Sequence, residues 1–353
     1  MKVLNIGPSL NKSRGGMATV IKGIHDSEVL NESYDIDFFT SFIDGVKIWR
    51  VIYSIFAIIH FRFIYKKYNL FHIHVASYTS TVRKLMYADF LKKHKKKVII
   101  HIHGGSYIKF YNGLTKEKQE KLTSKLNNVD MVIALSEEWK MRLEDCIGIK
   151  NCVVLKNGID ISKFSDAVTS VADNQKSFLM LGRLCKNKGV YDLIEAVEMI
   201  KREEPEIQIF LAGDGEVEKV KMLVQKKGLQ HNLHVVGWID SAEKISLLKK
   251  VSVLILPSYH EGLPMSILEG MAAGKAIIST KVGAIPNVVN SENGILIDAG
   301  DVSSLIAAMK LCLNSEEMLR SMSEKNRKKI EEYYNSEKMH ALLANYYDEV
   351  CKM

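Results

Sequence analysis

Cysteine and proline are scarce in this chain, five of each in 353 residues, and tryptophan occurs only three times. The cysteines, at positions 146, 152, 185, 312 and 351, include no C-x-x-C pair and have no histidine at metal-ligand spacing. That leaves neither a redox nor a metal motif and fits buried, structural thiols in a reducing cytosol. Long apolar runs are missing too. The most apolar stretch, residues 48–65, is interrupted by Arg50, His60 and Arg62, short of the roughly 20 residues that span a bilayer. Behind Met1 and Lys2 the apolar segment 3–6 runs into Gly7-Pro8, too short for the core of a signal peptide. With no internal repeat or low-complexity tract, a cytoplasmic globular protein is expected.

The chain has 47% hydrophobic and 25% charged side chains, enough to bury two cores of about 150 residues each. Its net charge of +8 is uneven: residues 1–170 hold 26 Lys+Arg against 16 Asp+Glu, leaving 23 against 25 for the remainder. The basic surplus of the first half points it toward an anionic partner. Nucleic acid fits poorly, because no aromatic interleaving or binding motif accompanies the charge.

Short aliphatic runs alternate with amphipathic stretches. Runs at 2–7, 34–40, 70–75, 98–103, 131–135 and 152–155 read as six strands, and after a polar linker near 162–176 a second series follows at 178–182, 208–212, 233–236, 253–256, 276–279 and 294–297. This predicts an α/β protein of two Rossmann-like, doubly wound domains, residues 1–163 and 164–335, facing a central cleft. Residues 336–353 read as a helix packing back on the first domain. Glycines punctuate the strand ends at Gly15-Gly16, Gly104-Gly105, Gly182, Gly213-Asp214-Gly215, Gly237 and Gly262, where doubly wound sheets place their ligand loops.

The strongest chemical signal is Glu261 and Glu269, with seven residues between them. Pro264 suits an early helical position, since its missing N–H costs nothing there, so Glu261 belongs to a loop and Glu269 to a helix. The first helical turn attracts phosphate or a sugar oxygen, and carboxylates accept from sugar hydroxyls. A solvated loop glutamate beside an ordinary helical one would show the same spacing. Upstream, Leu181-Gly182-Arg183-Leu184-Cys185-Lys186-Asn187-Lys188-Gly189 closes a strand. Arg183 offers a planar fork and Lys188 a compact charge, both suited to one diphosphate, although an exposed basic loop would look alike. A dinucleotide fingerprint fails: Glu218 stands where G-x-G-x-x-G, begun at Gly213, needs its last glycine.

Taken together, Gly182-Arg183, Lys188-Gly189, Ala212-Gly213-Asp214-Gly215, Pro257-Ser258 and the paired glutamates resemble the retaining glycosyltransferases of family 4, which have the GT-B fold. In the first half, Gly15-Gly16, His72-Ile73-His74, His101-Ile102-His103-Gly104, Ala134-Leu135-Ser136 and Asn157-Gly158-Ile159-Asp160 with Phe164 extend the resemblance over nearly the whole chain. It implies that Arg183 and Lys188 bind the donor diphosphate, Glu269 the ribose, and Glu261 the transferred sugar, helped by backbone amides of Gly262 and Leu263. It further implies Gly16 near the distal phosphate, His103 near the sugar, and Trp238-Ile239 near the base. No metal and no cofactor beyond the nucleotide-sugar is implied, a UDP-sugar being favoured over a GDP-sugar. In a front-face reaction the leaving phosphate takes the acceptor's proton, so no protein base is required.

The expected function is transfer of a hexose or N-acetylhexosamine to a glycan or lipid-linked glycan, in bacterial surface-polysaccharide assembly. A nucleotide-sugar epimerase of the same fold and an inactive nucleotide-sugar-binding protein are the alternatives. Residues 48–65 with Lys66-Lys67, and the run Lys92-Lys93-His94-Lys95-Lys96-Lys97, form a candidate patch for an anionic membrane at its inner face. A helix apolar nearly all round is more commonly a core helix, and that reading is preferred for 48–65, with the lysines left open.

Overall fold

The computed structural model describes residues 1–9, 16–43, 47–169 and 177–352. The chain divides into two compact units, Met1–Gly158 with Ser336–Met353, and Ile159–Asn335. Each is built on one six-stranded sheet.

The N-terminal unit holds strands β1 (Lys2–Pro8), β2 (Asp35–Phe42), β3 (Leu70–Val75), β4 (Lys97–Ile102), β5 (Met131–Ala134) and β6 (Cys152–Val154), in the order β2-β1-β3-β4-β5-β6. All its strand pairs are parallel. Alternation along the strands feeds two cores: Leu4, Ile6, Phe71, Ile73, Val98 and Ile100 enter one, Val3, Leu70, Ile99, Met131 and Ile133 the other. A parallel sheet needs both faces covered in this way. The terminal helix Ser336–Lys352 closes the second core with Leu343, Tyr347 and Val350. Toward the strand carboxyl ends that same alternation turns polar, Val3 giving way to Asn5, Leu70 to His72 and His74, and Ile99 to His101. The polar series is nevertheless buried.

The helix Lys47–Ile64 corrects an expectation. Phe61 is buried against Phe39, Phe71 and Tyr87, and Ala57 is buried one turn earlier. Trp49, Val51, Ile52, Ile55, Phe56, Ile59 and Phe63, however, are exposed, so this is not a helix enclosed by the core. No helix among the described residues is long and apolar enough to cross a membrane.

The C-terminal unit holds β7 (Ser177–Leu181), β8 (Gln208–Ala212), β9 (Leu233–Gly237), β10 (Val253–Leu256), β11 (Ala276–Thr280) and β12 (Gly294–Ile297), in the order β12-β11-β10-β7-β8-β9. Numbered within the unit this is 3-2-1-4-5-6, the Rossmann order, which reverses between its first and fourth strands, β7 and β10. Phe178, Ile209, Val253 and Ile278 of the sheet pack with Val190, Ile194 and Val197 of the helix Val190–Ile200. The polar linker begins as a 3-10 helix, Ile161–Ala167, in which Asp160 caps Ser162 and Phe164 and Ala167 are buried; residues 170–176 lie outside the described set. The cysteines also depart from expectation. All five are free, but only Cys152 and Cys312 are buried, which pushes each thiol up to about 12, while Cys146 is exposed.

Candidate active site

The strand order reverses between β7 and β10, the position at which doubly wound sheets bind ligands, and the loops beyond their carboxyl ends are tied together by backbone contacts. Gly189, at φ 73°, sits so close to β10's exit that a Cβ on it would lie 2.0 Å from the Pro257 carbonyl oxygen. Beside it, Tyr259 N–H donates to the Asn187 carbonyl at 2.9 Å. Gly283, at φ 57°, presses on the next loop, where a Cβ would lie 2.1 Å from the Glu261 carbonyl oxygen. Ala284 N–H donates to the Gly262 carbonyl at 2.9 Å. On the other side Leu184 N–H donates to Asp214 at 2.6 Å and Gly213 N–H to Gly237 at 2.7 Å. The exits of β7, β8, β9, β10 and β11 thus form one bonded rim.

On this rim the Glu261 carboxylate is buried and accepts from Lys188 Nζ at 2.5 Å and Ser258 Oγ at 2.7 Å. A buried carboxylate needs such partners. Glu269, also buried, pairs with Lys244 Nζ at 2.6 Å. Lys244 comes from the helix Ser241–Lys249, whose start is fixed by a capping box between Asp240 and Glu243. The four residues singled out from sequence therefore separate: Lys188 and Glu261 meet, Glu269 meets a lysine not foreseen, and Arg183 is exposed with its stem against Gly215. Beside it the Glu216 carboxyl is held below its usual range by the Tyr191 hydroxyl first, then Lys219, with a smaller contribution from Arg183.

Pro264 is not the early helical residue expected. Its ψ of 124° makes it the N-cap, and the helix Met265–Ala272 begins one position later. Glu261 is nonetheless in the loop and Glu269 in the helix. Leu263 is buried, Gly262 partly so, and Trp238 and Ile239 follow β9 with Trp238 half exposed.

The remaining candidates belong to the N-terminal unit. Gly16 opens the helix Gly16–His25, while Gly15 lies outside the described residues. His103 follows β4, its N–H donating to Val75 at 2.8 Å, and its ring lies on that of His101 with centroids 4.0 Å apart. Its Nε2 is 2.9 Å from His74 Nδ1, and His74 Nε2 is 3.3 Å from Asn5 Oδ1. An amide oxygen only accepts, so His74 carries its proton on Nε2, and His103 must donate from Nε2 to the bare His74 Nδ1. That leaves His103 Nδ1 as an acceptor. A parallel chain runs from Tyr347 hydroxyl to His72 Nδ1, 2.8 Å, and from His72 Nε2 to His101 Nδ1, 3.2 Å. Burial keeps all four rings neutral, holding His72 and His103 at about 3 and His74 and His101 well below the usual imidazole range.

One nitrogen from each of His72, His74 and His101 lies within 4.8 Å of the others, a candidate metal group. The His72 and His101 rings are 8° from parallel, and His74 is tilted by 32° and 36° to them. Ring nitrogens of all three are already engaged, His72 Nε2 with His101 Nδ1 at 3.2 Å and His74 Nδ1 and Nε2 with His103 and Asn5 at 2.9 and 3.3 Å, so the cluster is arranged for hydrogen bonding.

A family model described as glycosyl transferases group 1 matches residues 162–329, and one described as glycosyltransferase family 4 matches residues 25–163. The chain belongs to the family 4 type of glycosyltransferases. Its architecture, two Rossmann-like units each on a parallel six-stranded sheet, is the GT-B fold. A glycogen synthase of Mycobacterium tuberculosis is 28% identical over 169 residues, 47% of this chain. The match spans only 41% of that relative's length. A capsular polysaccharide biosynthesis glycosyltransferase of Staphylococcus aureus is 24% identical over 235 residues, 63% of this chain and 62% of the relative. The crystal structure of HepE from Anabaena in complex with UDP-glucose superposes with a TM-score of 0.79 at 18% identity, covering 99% of this chain and 100% of that one. At that identity the likeness concerns the fold.

Sequence reading gave no role to Lys244, Ser258, Asn5, His74 or Tyr347. Alternation alone flags Asn5, His72, His74 and His101 as polar residues on a buried strand face. Nothing local marks Lys244, which lies 25 positions before its partner.

Proposed function

We propose that this chain is a retaining glycosyltransferase that moves a hexose or N-acetylhexosamine from a nucleotide-sugar, a UDP-sugar before a GDP-sugar, to a glycan or lipid-linked glycan in bacterial surface-polysaccharide assembly. The observation that carries the reading is the buried Glu261 carboxylate held by Lys188 and Ser258 beside the β7/β10 reversal, where open α/β sheets bind nucleotides. Lys188, together with the exposed Arg183, supplies positive charge for a departing diphosphate, and that charge acts most as the bond to the sugar breaks. Glu261 accepts from hydroxyls of the transferred sugar, and Glu269 from those of the ribose. Gly16, His103, Trp238, Ile239, Gly262 and Leu263 keep the roles that the family resemblance implies. The capsular relative supports the biological setting, and the UDP-glucose bound by HepE supports the donor class.

Replacing Glu261 by Gln tests the proposal. Transfer falls by about two to three orders of magnitude, the size of removing one preorganised polar contact, while the folded baseline in circular dichroism stays intact. Undiminished turnover of the true donor refutes it. Incubation with donor and no acceptor separates transfer from epimerisation, because an epimerase accumulates a new sugar isomer and a transferase gives at most slow hydrolysis.

A further inference from the structure

The helix Lys47–Ile64 carries apolar side chains on two opposite sides, and the chain itself covers only one. At 100° per residue the exposed residues Trp49, Val51, Ile52, Ile55, Phe56, Ile59 and Phe63 fall within one arc of about 160°, centred opposite the buried Ala57 and Phe61. Trp49 is 64% exposed, Phe56 67% and Phe63 77%. Single exposed apolar residues need no explanation, but a contiguous stripe of seven, with two phenylalanines and a tryptophan, does.

The charge around the stripe says what covers it. Arg62 falls near one edge of the same arc, between Val51 and Ile55 in angle, with its guanidinium 5.7 Å above the Phe90 ring, and exposed Lys66 and Lys67 follow at the end of the helix. Lys96 Nζ donates to the carbonyls of Tyr68 at 2.7 Å and Lys66 at 3.5 Å, which ties the lysine run to the same end of the helix and brings exposed Lys93 and Lys95 with it. Between Asp44 and Asp89 the sequence has no acidic residue. A second copy seated on this face would bring the same segment, with no acidic residue between Asp44 and Asp89 to answer the basic end. An anionic bilayer surface complements that end and takes up the stripe.

We infer that this helix lies in the interface of an anionic membrane, with Trp49, Phe56 and Phe63 inserted among the lipid chains and Arg62, Lys66 and Lys67 at headgroup level. The inference goes beyond the proposed reaction, since binding to lipid is read without donor or acceptor. The helix rests on the surface and does not span the bilayer.

The test uses the whole chain and vesicles of phosphatidylglycerol in phosphatidylcholine, with vesicles of phosphatidylcholine alone beside them. The chain should co-sediment with the anionic vesicles and be released by high salt, with a blue shift of tryptophan fluorescence that is lost in Trp49→Phe. Phe56→Ser with Phe63→Ser should abolish binding while the thermal midpoint is retained. Lys66→Gln with Lys67→Gln, at exposed positions that leave folding untouched, should weaken partitioning about thirty-fold, the effect of two surface charges. Failure of the wild-type chain to bind anionic vesicles overturns the inference. So does a dimer in solution that dissociates in Phe56→Ser/Phe63→Ser while vesicles go unbound, which would assign the stripe to a second copy.

Discussion

Acidification should destabilise the N-terminal unit well above the pH at which ordinary carboxylates titrate. His72 is fully buried, and burial, with a smaller effect of His103, lowers it from 6.5 to about 3. The native state therefore refuses a proton that the unfolded chain accepts once the pH falls below 6.5. Stability contributed by the neutral ring is complete above that value and is lost as pH falls toward the folded pKa. Between pH 7 and pH 5 the loss from His72 is about 2 kcal/mol, at about 1.4 kcal/mol per pH unit below 6.5. His74 and His101 are lowered mainly by the same burial and add in the same direction. Against a total stability of about 5–15 kcal/mol for a domain, this is a large share. Urea unfolding followed through buried Trp139, in a chain with Trp49→Phe and Trp238→Phe, reports on this unit alone. The unfolding free energy should fall steeply from pH 7 to pH 5, and His72→Gln should remove about 1.4 kcal/mol per pH unit from the slope. A free energy that is flat over this range, or a slope unchanged by His72→Gln, refutes the assignment of neutral, buried imidazoles.

Other outcomes follow from the C-terminal rim. Lys244→Met leaves buried Glu269 without its partner and should cost about 1–3 kcal/mol, read by urea unfolding. Gly189→Ala combines a φ of 73° with an impossible approach to Pro257 and should cost at least about 1–3 kcal/mol, with a drop in thermal midpoint and in donor binding. Ser258→Ala removes one bond to Glu261 and should lower kcat more than it lowers stability, which should change by only about 1 kcal/mol; equal losses in both would make Ser258 structural.

The two sheets were legible because a doubly wound sheet is buried on both faces and its strands read as short aliphatic runs. All twelve strands lie within two residues of those runs. The 3-10 turn at the start of the linker is not legible, because polarity marks exposure on average, whereas residues 161–167 need only Phe164 and Ala167 to anchor a turn. The helix Lys47–Ile64 was misread for the converse reason: apolar composition shows what a helix can bury, and its own chain covers one side only. In the site, the glutamates and the basic loop stood out by residue type and strand-end position. Their partners did not. Lys244 and Ser258 become visible only when strand order brings the loops together, and the histidine tautomers only when Asn5 Oδ1 is seen to accept from His74.

Calorimetric titration of UDP and UDP-glucose into the wild-type chain, Glu261→Gln and Glu269→Gln bears most directly on the central proposal. The wild-type chain should bind both ligands. Glu269→Gln should weaken both about tenfold or more, the loss of a hydrogen bond to a charged group, whereas Glu261→Gln should keep the affinity for UDP and lose the added affinity of the sugar. Binding of neither UDP nor UDP-glucose by the wild-type chain would contradict the proposed UDP-sugar donor site. Two variants that bind like the wild type would contradict the roles given to Glu261 and Glu269.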